Sequence, residues 1–282
     1  YLPDEDGNDV KVREGDGVKR IGYKLDHLSF DTLMGRADVK SLPQNTLAIG
    51  LDMESGAPVT VNLDEEFCYT VGGAGGSGKT NLLTALAKQA KSKKARLYLF
   101  DNPGGALERQ VSFDRAVHND AELFELMESV IVGEFSNRNG IVADTRDAGG
   151  DIANALKSHD RIVFLINDMS AFISAVYSPG IDMSGFFEIA LEKGFGHKIQ
   201  FFAAVTPDDW ADMARYTAMR TYAGYRRGVH LGGLFDQQSI LQFAVSAADN
   251  VRQLAPGIGY AAGLHGGAVR IMTPQVSEED VK

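Results

Sequence analysis

Residues 72–84 read GGAGGSGKTNLLT and follow the apolar run FCYTV at 67–71. The pattern G-x-x-x-x-G-K-T falls on Gly73, Gly78, Lys79 and Thr80. It follows an apolar run and opens a helical pattern, the setting in which such a loop binds phosphate. Glycines let the backbone wrap its N–H groups around phosphate oxygens in conformations and at distances that a side chain would obstruct. The helix starting at Lys79 adds the positive end of its dipole. Lys79 is expected to reach the β and γ phosphates as a point charge, and the Thr80 hydroxyl to ligate the bridging Mg2+. Gly75, Gly76, Ser77 and Asn81 complete the candidate ATP-binding stretch.

Beyond the loop the chain alternates strand and helix patterns. A helix is expected from Lys79 to about Lys91, a strand over RLYLF at 96–100 and a helix near 120–136. The last has a capping signature, Asn119 followed by Glu122, and a face formed by Leu123, Leu126, Met127, Val130 and Ile131. RIVFLI at 161–166 and IQFFAAV at 199–205 read as strands, with a helix across Phe186 to Lys193 between them. This recurrence predicts a mostly parallel central sheet covered by helices on both faces, an α/β fold.

Before the loop, residues 1–20 are polar and without period, which reads as a linker or disordered arm. Short apolar stretches broken by Gly, Pro and Asn at 21–64 suit a small β-rich N-terminal segment. The nucleotide-binding domain is expected over 65–275, followed by a polar tail at 276–282.

The chain has 282 residues, enough for one large α/β domain. Its formal charge is -10, which disfavours a generic nucleic-acid surface. The lone cysteine, Cys68, permits no internal disulfide and no cysteine zinc site, and it suits a reducing, intracellular setting. No apolar run approaches the ~20 residues needed to cross a bilayer, so no direct membrane insertion by this stretch is expected. Because the chain opens on Tyr1, it is expected to be a piece of a larger polypeptide.

With the loop placed, LAIGLDMESGAPVTVNL, LFDNPGGAL, LINDMSAF, FFAAVTPDD, VHLGGLFDQQS and LAPGIGYAAG become recognisable, and together they resemble the FtsK/SpoIIIE superfamily. More narrowly, the chain resembles the third ATPase module of the type VII (ESX) secretion ATPases EssC and EccC, from about residue 20 to 275. The resemblance implies a RecA-like module on the cytoplasmic side of the cell membrane, within a larger membrane-anchored protein. It also implies two kinds of partner: other ATPase modules of the same polypeptide, and small helical secretion substrates bearing C-terminal export signals.

Active members end the strand at RIVFLI with two acids, the first holding the magnesium shell and the second activating water. Here those positions are Asn167 and Asp168. An amide can accept a hydrogen bond from a magnesium-bound water but lacks the charge that concentrates the ion. In the alternative register Asp168 takes the magnesium role, and no second acid follows because Met169 and Ser170 come next. Asp101 remains a further candidate acid. Active modules resemble D-x-K-G-G after the second strand, whereas this chain reads Asp101-Asn102-Pro103-Gly104-Gly105. The end of IQFFAAV offers Val205 and Thr206 where a polar γ-phosphate sensor is common. Each departure is expected to cost on the order of 10²-fold. Nucleotide binding should therefore survive better than hydrolysis, leaving a degenerate module for substrate recognition or regulation of the motor; the alternative is an active motor for protein export or DNA translocation.

Arg226 and Arg227 read as a solvated turn or, less economically, as an arginine finger. His118, His197 and His230 show no metal spacing. Phe186, Phe187, Ile189, Ala190 and Leu191 read as the core face of a helix, and Trp210 as a helix start.

Overall fold

The computed structural model describes residues 27–262 and 267–277. It also describes the backbone of two short strands, β1 (Leu2–Pro3) and β2 (Asp9–Val10), which pair antiparallel. Apart from those two strands, the arm expected over 1–20 lies outside the described residues, as does most of the tail expected at 276–282.

The remaining strands form one ten-stranded sheet. In chain order they are β3 (Thr46–Asp52), β4 (Pro58–Asn62), β5 (Cys68–Gly72), β6 (Arg96–Asp101) and β7 (Arg115–Val117). Then come β8 (Ile162–Asn167), β9 (Ile199–Val205), β10 (Gly228–Gly233), β11 (Leu254–Ala262) and β12 (Ala268–Met272). The spatial order is β4-β3-β12-β11-β10-β5-β9-β8-β6-β7. From β10 to β7 every pairing is parallel, and β9 lies between the loop-bearing β5 and β8, which ends at Asn167. From β10 outward to β4 every pairing is antiparallel.

The sheet is mostly parallel and covered by helices, as expected, and its antiparallel pairings are confined to one edge. The connections at 53–57 and 263–267 are too short to recross the sheet, so each joins a hairpin. The segment over 21–64 supplies one of these hairpins, β3–β4, to the edge of the main sheet. Two helices missed in the sequence, Phe30–Gly35 and Ala37–Lys40, precede it. Leu28, Leu33 and Val39 seat them against Ala48, Leu51 and Met272.

Both faces of the parallel region are buried, which explains its uninterrupted apolar runs. All seven positions of β9 are buried. Phe201, Ala203 and Val205 join Phe100, Phe164, Phe172 and Phe187 on one face. Phe202 and Ala204 meet Leu82, Leu83 and Leu86 of the phosphate-loop helix on the other. Cys68 is buried, and burial pushes its thiol well above the ordinary range.

The helix that starts at Asp120 is capped as expected. Asn119 Oδ1 accepts the Glu122 N–H at 3.0 Å, and Glu122 Oε2 accepts the His118 N–H at 2.9 Å. It extends further than expected, through a π-helical stretch at Glu128–Phe135 to Asp147. Its last section is polar and buries only Arg138 and Val142, so hydrophobic period gave no sign of it. Among the described residues no helix is long and apolar enough to cross a membrane.

Candidate nucleotide site

The loop between β5 and the helix Lys79–Ser92 is shaped by three glycines with positive φ: Gly73 at 148°, Gly76 at 74° and Gly78 at 104°. A Cβ on Gly73 would lie 2.3 Å from Leu231 O and 2.4 Å from Ser77 Oγ, so only glycine fits without a shift. Gly78 sits at the helix N-cap, and no side chain among the described residues caps that end. Its first-turn N–H groups and the dipole behind them therefore face the loop interior. Ser77 Oγ is buried there without a hydrogen-bond partner among the described residues. Lys79 Nζ arches over the loop to donate to Gly73 O at 2.6 Å and Ala74 O at 2.9 Å. The residues from Gly76 to Asn81 line one side of a cavity of about 340 Å3, with Ala106 and Gln110 across it. Uncapped amides, an orphaned hydroxyl and a bare glycine backbone fit the phosphates of a nucleotide.

A second cluster of side chains gathers around Thr80. Thr80 Oγ1 donates to Asn167 Oδ1 at 3.1 Å, and Asn167 Nδ2 donates to Asp101 Oδ1 at 3.0 Å. Asp101 and Asn167 are direct register partners at the ends of β6 and β8. In this geometry Asn167, not Asp168, faces the threonine. Asp168 lies one residue beyond, where its Oδ1 accepts the Ala171 N–H at 2.8 Å and caps the helix Met169–Val176. The Asn167–Asp168 peptide is cis. Thr80 Oγ1 and the outward Asn167 Oδ1 could hold a Mg2+ shell alongside nucleotide oxygens, with Asp101 behind them.

The site's electrostatics centre on Lys79. Partial burial lowers its pKa from the usual lysine range, while Asp168 and then Asp209 oppose that shift. Asp209 is itself raised, first by desolvation and then by Asp168 and Asp208. Its influence on Lys79 was not legible in the sequence, where TPDD stood out only as the end of FFAAVTPDD ahead of Trp210. Burial also pushes the Asp101 carboxyl up, against the Asn102 and Asn167 hydrogen bonds that stabilise its ionised form. Val205, at the sensor position, supplies its carbonyl to the Gly73 N–H at 3.1 Å.

Two distant segments hold the loop from behind. Gly257 N donates to Ser77 O at 2.9 Å, and Thr273 donates to Gly257 O through both its N–H and its hydroxyl, at 2.8 and 3.0 Å. Gly232 comes so close that an added Cβ would lie 3.0 Å from Ser77 Cβ. Asn81 borders the cavity, but its amide donates to Pro274 O at 2.7 Å and accepts from Val276 N at 2.8 Å. It clips the end of the described chain to the phosphate-loop helix.

The remaining candidates lie elsewhere. Arg226 and Arg227 immediately precede β10, at the end of the sheet opposite the phosphate loop, and Arg227 Nε lies 3.5 Å from Glu66 Oε2. His118 Nδ1 lies 2.9 Å from the Asp101 carbonyl oxygen. His197 and His230 are buried in the core, and burial lowers both. Phe187, Ala190 and Leu191 are core residues, whereas Ile189 is exposed. Trp210 opens a short helix, Trp210–Met213. A cavity of about 750 Å3 opens near the N-terminal ends of β6, β8 and β9, far from the phosphate loop.

No family model and no curated protein matches this sequence. The solved structures are more informative. The cytoplasmic domain of EssC superposes with a TM-score of 0.75 at 17% identity, covering 90% of this chain and 48% of that one. EssC ATPases 2 and 3 from Geobacillus thermodenitrificans give 0.72 at 17% identity, covering 91% and 46%. The pCW3 conjugation coupling protein TcpA, in its monomer form with ATPγS, gives 0.68 at 14% identity, covering 91% and 72%. The chain spans less than half the length of the two EssC structures. The chain has the RecA-like P-loop fold of the EssC ATPase modules, a fold it also shares with the conjugation coupling protein TcpA.

Proposed function

We propose that the chain is an ATP- and Mg2+-binding module of a membrane-bound type VII secretion ATPase, on the cytoplasmic side of the membrane. Its hydrolysis is weak or absent, and bound nucleotide serves substrate recognition or regulation of the motor. The observation that carries this reading is the contact between Thr80 and Asn167, which sets an amide where a carboxylate would supply charge. Gly73, Gly75, Gly76, Ser77, Gly78 and Lys79 form the phosphate cradle, Thr80 is the metal ligand, and Asp168 is the candidate acid. The fold shared with EssC supports a place beside other ATPase modules of one polypeptide. A solved EccC from Thermomonospora curvata, TM-score 0.66 at 17% identity, is in complex with a signal sequence peptide, which supports export signals as partners.

ATP that binds the folded module stabilises it by RT ln(1 + [L]/Kd), about 2.7 kcal/mol at roughly 100 times Kd. If an export signal prefers the same ordered state, nucleotide and signal strengthen each other by equal factors. Calorimetry with a peptide carrying the C-terminal signal of a protein exported by the same system tests this. Saturating ATP should tighten the peptide, and the peptide should tighten ATP by the same factor; identical peptide affinity with and without ATP refutes the coupling.

The competing reading, an active motor for protein or DNA, draws on the fold shared with the coupling protein TcpA. The net charge of -10 counts against DNA, because clustered Lys and Arg provide most nonspecific affinity. Several phosphates released per second, lost in Lys79→Ala, would favour the motor.

A further inference from the structure

Asp101 is a buried carboxylate, 4% exposed, at the end of β6. Its Oδ1 accepts the Asn102 N–H at 2.8 Å and Asn167 Nδ2 at 3.0 Å, while Oδ2 has no hydrogen-bond partner among the described residues. The space it fills exists because residue 105 is glycine: a Cβ there would lie 2.2 Å from Oδ2. Such burial needs a compensating function or a compensating contact.

The contact with Asn167 has a direction. The Asn102 amide can only donate, so Asp101 Oδ1 acts as an acceptor and Asn167 must turn its NH2 towards it. The Asn167 carbonyl oxygen is then forced to the opposite side, where Thr80 Oγ1 donates to it. A free asparagine could present either end. Here the neighbouring carboxylate fixes the end that a hydrated cation needs, and its charge polarises the amide along the same line.

We propose that Asp101 and Asn167 work as one unit, in which the negative charge of the metal side sits on the adjacent strand and acts through the amide. Asp101 is thus a positioning residue for Mg2+–ATP, touching neither nucleotide nor metal. This rests on the nucleotide-binding reading of the loop, and it deepens that reading by assigning the source of the charge. The two residues are direct register partners, so exchanging them should return the charge to the same place.

The test is calorimetric ATP affinity with Mg2+ and with EDTA, for the unmodified protein, Asp101→Asn and the exchange Asp101→Asn/Asn167→Asp. Thermal unfolding reports whether each variant folds. The unmodified protein should bind ATP more tightly with Mg2+ than with EDTA. Asp101→Asn should lose roughly 10-fold or more of that magnesium-dependent gain, by the scale of a charge-assisted hydrogen bond. Its affinity in EDTA should fall far less. The exchange should recover most of the gain. A merely structural role would lower both affinities alike and leave the exchange unrescued, which overturns the proposal, as does a gain kept within about 2-fold in folded Asp101→Asn. Absence of ATP binding by the unmodified protein under both conditions would instead refute the nucleotide-binding reading.

Discussion

The hydroxyl of Thr80 donates to Oδ1 of Asn167 at 3.1 Å, joining residues 87 apart in sequence. This contact ties the first turn of the phosphate-loop helix to the end of β8 across the intervening strand β9. At position 167 the side chain facing Thr80 is therefore an amide oxygen, which carries no formal charge. On the proposed reading, phosphate binding would rest on backbone amides, Ser77 and Lys79, away from Asn167, whereas hydrolysis would call for charge near the metal.

Replacement of loop glycines should separate shape from composition. Gly73→Ala places a Cβ against Leu231 O and Ser77 Oγ, whereas Gly75 has nothing within 4 Å of the same atom. Gly73→Ala should lose about 1–3 kcal/mol in urea unfolding. Gly75→Ala should stay within about 0.5 kcal/mol of the unmodified protein. Equal losses in the two variants would refute the loop geometry.

Asn81→Ala should free the C-terminal segment. It removes the acceptor of the Val276 N–H and the donor to Pro274 O. A cost of about 1–3 kcal/mol is expected from the partners left unsatisfied. Hydrogen exchange should show the Val276 amide losing protection while the β9 amides keep theirs; unchanged protection at Val276 would mean that other contacts hold the segment.

Acid should weaken the fold in the histidine range. His197 and His230 are buried, and burial lowers both below the ordinary value of 6.5. The unfolded chain takes up protons that the native rings decline, so stability is full above about pH 6.5 and falls as the pH drops below it. Each histidine contributes a slope of at most ~1.4 kcal/mol per pH unit. Urea midpoints between about pH 5 and 8 should fall with acidity, and less steeply in His230→Leu. An unaltered slope in that variant would show that His230 protonates freely in the native state.

Local chemistry made much of this molecule legible. The phosphate loop, the helix after it and β9 announce themselves through glycine spacing, capping residues and apolar runs bounded by turns. The antiparallel edge was harder to see, because strand direction follows from connection length and partner rather than from any one strand's residues. The influence of Asp209 on Lys79 and the place of Gly257 beneath Ser77 were invisible, since each depends on where a distant segment returns. The partnership of Asp101 with Asn167 was hidden for the same reason: the two lie 66 residues apart and meet only through the register of β6 with β8.

Above all, this module should hold ATP with Mg2+ and hydrolyse it slowly. Protein incubated with Mg2+ and excess γ-labelled ATP at up to millimolar concentration, with bound ATP and released phosphate followed together and Lys79→Ala alongside, tests both halves at once. The expected result is one nucleotide per chain, intact ATP with hydrolysis below ~1 s⁻¹, and binding weakened by at least about 1.5–3 kcal/mol in Lys79→Ala. No binding at millimolar ATP, or several phosphates per second from the unmodified protein, would contradict it.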